Sequence, residues 1–165
     1  MKRFTHLISG IAVGSATASL SGGEPISLIV LGGFFGIFPD FDLIFSGLSR
    51  RVHRSAASHS LLASMLFALA WAVLLITVSG TSQMSWLDTI PLLPSTVVVF
   101  MASFVHTLED SLTFQGCKLL YPLSLRRYKG VVRFDDVVVN AILIVIGIGV
   151  TLFFLQMDLY SLGKL

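Results

Sequence analysis

The chain has 165 residues, of which 55% are hydrophobic and 12% charged, and its mean hydropathy is +0.88. That excludes an ordinary soluble domain, whose surface so few charges could not cover, and the length suits a single integral membrane domain over residues 1–165. A net charge of +2 gives no basis for a nucleic-acid partner, and one cysteine, Cys117, excludes both an intrachain disulfide and a Cys-rich zinc finger.

Five apolar segments follow in chain order. Leu7 to Leu20 and Ile26 to Phe38 are short, at 14 and 13 residues, and "SGGEP" separates them. They read as tilted spans or as a hairpin that enters and returns, and either way the chain comes back to its starting side. Leu61 to Val78, Leu92 to Val105 with its flanks, and Val137 to Leu155 each approach the roughly 20 residues that a helix needs to cross a hydrocarbon core. The expected fold is therefore an all-α, polytopic helical membrane protein whose principal partner is the lipid bilayer.

Basic residues orient these segments. Lys2 and Arg3 precede the first, Arg50, Arg51 and Arg54 follow the second, and Lys118, Arg126, Arg127, Lys129 and Arg133 lie between the fourth and fifth. The connections at 21–25 and 79–90 carry no Lys or Arg. The positive-inside rule then puts the N-terminus and both basic loops in the cytoplasm. A secretory signal peptide is the rival reading of residues 1–23, on its basic start and small-residue "ATA". The weak hydrophobicity of that stretch and His6 within it argue against removal.

The unusual polar residues converge on the cytoplasmic end. His6 opens the first segment, Asp40 and Asp42 of "PDFD" close the second, His53 and His59 of "HRSAASHS" precede the third, and His106, Glu109 and Asp110 of "HTLED" close the fourth. Ionisable groups at membrane depth are costly and tend to mark function. Taken singly, each histidine can be an interfacial anchor and each Asp a helix cap, but independent anchors need not choose one end. His106 and Asp110 share a helical face, which Thr113 continues. Asp40 and Asp42 point the same way if that stretch is extended. His53 and His59, six apart, lie about 120° apart on a helix, so both line one site only if the chain before the third span is non-helical. Imidazoles and carboxylates together suit a divalent metal, zinc first, with manganese or iron as alternatives. The candidate metal ligands are His6, Asp42, His53, His59, His106 and Asp110. Asp40 and Glu109 are candidate catalytic carboxylates, and Arg54 is the candidate contact for an anionic substrate group.

These motifs, in this order over residues 6 to about 124, resemble the predicted membrane-bound metal-dependent hydrolases of bacteria and archaea, the YdjM/YbcI type of inner-membrane protein. The pattern is matched at His6, Pro39, Asp40, Asp42, His53, Arg54, His59, Ser60, His106, Asp110, Gly116 and Pro122. It departs at Leu43, where His is common, at Ser55 in place of Gly, and at Ser58 in place of Thr. The resemblance implies a metal-dependent hydrolase, and the substrate expected of it is a lipid-linked or membrane-proximal ester, foremost a phosphoester. The alternatives are a metal-ion or proton transporter and an assembly factor with a structural metal.

Overall fold

In the computed structural model, residues 1–22, 25–42, 55–78 and 89–162 are described. Among them the chain is helical, with α1 at Arg3–Ser21, α2 at Pro25–Ile37, a 3-10 turn at Phe38–Phe41, α3 at Leu61–Val78, α4 at Leu92–Ser111 and α5 at Val137–Leu162. The helices α3, α4 and α5 are long and apolar enough to cross a bilayer, and α2 with its 3-10 turn is a shorter apolar helix. The chain is thus a helical membrane protein. The segment 112–136 joins α4 to α5 through turns and two isolated bridges, Thr113 with Val132 and Cys117 with Tyr128.

Glycine determines how the first two helices meet. α1 stops at Gly22, whose φ of 62° is the left-handed conformation that ends helices. The returning helix then lies antiparallel against it, with Gly10 on Gly32, Gly14 on Leu28 and His6 on Gly36. A Cβ on Gly10 would stand 2.2 Å from the Gly32 carbonyl oxygen, and one on Gly36 would stand 2.4 Å from that of His6. Only residues without side chains let two backbones approach so closely in a membrane protein. The short apolar segments therefore form a tight helical hairpin, and α1 starts earlier than its apolar stretch, at Arg3.

Leu28, Leu31 and Phe35 of α2 pack with Ala68 of α3 and with Val98, Val99 and Ala102 of α4. Trp71 closes that core and donates its indole N–H to Ser95 Oγ at 3.0 Å. α5 rests on α1, where Ile8 meets Gly147, and leaves most of its apolar surface outward, as a lipid-facing helix does. Its start is tied down by Asn140, which is buried. Asn140 Oδ1 accepts from Thr5 Oγ1 at 2.6 Å and from the Lys2 N–H at 3.0 Å, while Nδ2 donates to the carbonyls of Phe134 and Asp136.

The chain enters α3 without helix. Ser55–Ser60 form a turn, and Ser60 then caps α3 by accepting the Ala63 N–H at 3.1 Å. The next orphan donors of that first turn, the N–H groups of Leu61 and Leu62, bond to the carbonyls of Leu119 and Tyr121 at 2.8 and 3.1 Å. The α4–α5 connection is thereby fastened across the start of α3. Asp136 accepts the Val139 N–H at 3.0 Å at the start of α5, and Asp135 pairs with Arg133 through two bonds of 3.1 Å.

Candidate metal centre

Three local structures carry side chains to one buried place. α2 ends at Ile37, and Pro39, with its fixed φ and no N–H, enters a 3-10 turn closed by the Asp42 N–H on the carbonyls of Pro39 and Asp40. The stretch is therefore not extended, so the condition under which Asp40 and Asp42 would point the same way is not met; proline at this position fits a tight turn. That turn aims Asp40 inward and leaves Phe41 outside. The non-helical Ser55–Ser60 turn delivers His59, and the last turns of α4 deliver His106 and Asp110 from one face.

Asp40, His59, His106 and Asp110 each contribute one ligand atom to a group whose members all lie within 4.8 Å of one another. The two imidazole Nε2 atoms are 3.1 Å apart. Asp40 Oδ1 lies 3.8 Å from Nε2 of His59 and 3.7 Å from that of His106. Asp110 Oδ2 lies 3.6 and 4.0 Å from the same two atoms. Ligands held at about 2.0–2.2 Å around a tetrahedral ion are separated from one another by about 3.3–3.6 Å, so these spacings suit a small cation at their centre.

The outer atoms of both rings explain why a cation fits. His106 Nδ1 is 2.7 Å from the Gly36 carbonyl oxygen, which only accepts, so Nδ1 carries the donated hydrogen. His59 Nδ1 lies 2.8 Å from Ser58 Oγ and 3.4 Å from Asp42 Oδ2, and Ser58 Oγ itself donates to that carboxylate at 2.7 Å. With Nδ1 as the donor on both neutral rings, the two Nε2 atoms and two carboxylate oxygens converge on one place. A divalent cation satisfies such a set, and the carboxylate and carbonyl behind the rings are the supports by which proteins fix metal-binding histidines. Burial alone would lower the His59 pKa, but the carboxylates of Asp40 and Asp42 outweigh it and raise the pKa above the ordinary 6.5.

Other candidates from the sequence fall around this group. Asp42 stands behind His59 rather than among the four donors. Glu109 accepts from His6 Nδ1 at 2.7 Å and from the Ser9 hydroxyl. His6 stacks on His106, with ring centroids 3.8 Å apart and planes at 29°, and its Nε2 is 3.4 Å from Asp110 Oδ1. The amino group of Met1 is ion-paired to that same oxygen. Thr113 donates to the Asp110 carbonyl at 2.8 Å, outside the group. His53 and Arg54 lie outside the described residues, and with them the question of whether both histidines of "HRSAASHS" line one site. Gly36 and Ser9 were not singled out in the sequence, and Ser58 was noted only as standing in place of Thr. A glycine opposite a histidine in a helical hairpin is the one signal that could have pointed to Gly36.

Comparison with curated proteins and comparison with solved structures each found no match. A family model described as YdjM inner membrane protein matches residues 1–161, almost the whole chain, and the chain therefore belongs to the YdjM inner membrane protein family.

Proposed function

We propose that this membrane protein is a divalent-metal-dependent hydrolase of a lipid-linked or membrane-proximal ester, foremost a phosphoester, acting at the cytoplasmic face of the inner membrane. The observation that carries the reading is the convergence of two imidazole nitrogens and two carboxylate oxygens in a buried site. His59, His106, Asp40 and Asp110 are the proposed ligands, with zinc the first choice of ion and manganese or iron the alternatives. Bound there, the ion would supply Lewis acidity toward a phosphoryl or carbonyl oxygen and toward a water. The chain's own residues hold and orient it: Asp42 and Ser58 fix the His59 ring, and the Gly36 carbonyl fixes that of His106. Arg54 remains the proposed contact for the anionic group of the substrate.

A lipid-borne substrate is supported by what surrounds the site. Phe4, Phe41, Leu108 and Leu112, on the same turns as His6, Asp40 and Asp110, are exposed. Apolar side chains beside a polar cluster suit a molecule with an anionic head and an apolar tail. The test is metal analysis of detergent-purified protein, with phosphate release measured from vesicles containing phosphatidic acid. Wild-type protein is expected to hold stoichiometric metal and to release phosphate, and His59→Ala and His106→Ala to lose both. Metal content unchanged by those two substitutions would overturn the proposal. Metal flux into proteoliposomes without phosphate release would replace it with transport.

A further inference from the structure

Asp110 presents its two carboxylate oxygens to different groups. Oδ2 faces Nε2 of His59 and of His106 at 3.6 and 4.0 Å. Oδ1 faces Nε2 of His6 at 3.4 Å and the amino group of Met1. His6 is supported as His59 is. A carboxylate, here Glu109, lies 2.7 Å behind its Nδ1, and the Ser9 hydroxyl donates to the other oxygen of that carboxylate. Nδ1 is then a donor, and Nε2 faces Asp110 Oδ1. That nitrogen is buried and has no hydrogen-bond partner among the described residues. The stacking of His6 on His106 sets two imidazoles side by side at one shared carboxylate.

We propose that Asp110 bridges two divalent cations, the first in the four-donor group and the second between Asp110 Oδ1 and Nε2 of His6, with Glu109 orienting His6. The inference rests on the cation reading of the first centre and narrows its substrate class. Paired ions about 3.5–4 Å apart are an arrangement that clamps the attacking and leaving oxygens of an in-line displacement at phosphorus, so a paired centre suits phosphoesters. Charge agrees with pairing. The side chains of Asp40, Asp42, Glu109 and Asp110 are at most 10% exposed and gather at this end, and buried carboxylates require compensating charge. The buried Met1 ammonium offsets one of their four formal charges, and a single divalent cation would still leave one uncompensated.

The experiment loads the full-length protein in detergent with Mn²⁺ alone and, separately, Zn²⁺ alone, counts bound metal, and records the electron paramagnetic resonance of the Mn²⁺ form. Wild-type protein is expected to bind two equivalents and to give an exchange-coupled Mn²⁺ spectrum. His6→Ala should keep one equivalent and show the spectrum of an isolated ion. Should His6→Ala fail to fold, Glu109→Gln decides, because it leaves the imidazole in place. It should keep the first equivalent and weaken the second about tenfold, as lost support behind a ligand does. One equivalent in wild-type protein, unchanged by His6→Ala or Glu109→Gln, would overturn the pairing and leave Oδ1 to the Met1 amino group. That result would leave the single-ion reading standing, whereas wild-type protein without any bound metal would remove both.

Discussion

Asp42 is the carboxylate behind the proposed metal ligand His59. It stands 3.4 Å from His59 Nδ1 and accepts the Ser58 hydroxyl at 2.7 Å, so it anchors both the ring and the turn that carries it. Asp42→Asn is expected to lower metal affinity about 10- to 100-fold while leaving the number of bound ions unchanged. Metal titration against a chelator of known affinity measures this, and a lost equivalent would instead make Asp42 a ligand. The same pair fixes the sign of the pH dependence. The His59 pKa is raised because Asp40 and Asp42 favour its charged form against burial, and a cation at Nε2 must displace that proton. Metal affinity should therefore rise with pH through a range above 6.5 and level off beyond it, with proton release on binding. Affinity that is flat across that range would mean that His59 carries no proton to displace.

At the scale of elements, the helical hairpin acts on the centre through Gly36. Its missing side chain brings α2 against the His6 carbonyl, and its own carbonyl holds His106. In Gly36→Ala the new Cβ meets the His6 oxygen at 2.4 Å and the Gly10 Cα at 3.1 Å, backbone that cannot rotate away. Overpacking of this kind costs about 1–3 kcal/mol, and here it should also lower metal content, because the two helices holding His6 and Gly36 are forced apart. Gly149→Ala is the control, since nothing lies within 4 Å of its Cβ. It should leave metal content unchanged and stability equal or higher by up to about 1 kcal/mol, the helix propensity of Ala over Gly. Thermal unfolding in detergent distinguishes the two.

The hairpin was only half legible in the sequence. Apolar length gave α3 its bounds, Leu61 to Val78, because a long run flanked by polar residues has one way to sit in a bilayer. The i, i+4 spacing gave His106 and Asp110 a common face, and the six-residue spacing of the two histidines required the non-helical entry that delivers His59. What could not be read were contacts made by ordinary residues across the fold. Gly36, Ser9, Ser58 and Asn140 look like any small or polar membrane residues until tertiary packing places a ring or a backbone group beside them. The turn at "FPDF" was not legible in the sequence because Pro39 permits both extended and 3-10 backbone. The choice between them is made by the Asp42 N–H bonding to the carbonyls of Pro39 and Asp40, a bond that no residue type announces.

For the whole molecule, the contacts decide which chain positions share an end. Lys2 bonds to Asn140, His59 meets His106, and Leu61 and Leu62 bond to Leu119 and Tyr121. The start of α1, the end of α2, the start of α3, the end of α4, the 112–136 connection and the start of α5 therefore lie together. The end of α1, the start of α2, the end of α3 and the start of α4 lie at the other end; the sequence of 21–25 and 79–90 carries no Lys or Arg, whereas Lys2, Arg3, Lys118, Arg126, Arg127, Lys129 and Arg133 all belong to the first end. Translocating those charges is disfavoured, so the end that holds the metal-binding group should face the cytoplasm. Single cysteines test this in intact cells, because the native Cys117 is fully buried. Gln83→Cys should react with a membrane-impermeant maleimide added outside. Ser124→Cys should react only after the membrane is permeabilised. The reverse pattern would place the site outside, where a substrate would have to come from the outer leaflet, and the cytoplasmic reading of the hydrolase would fall with it.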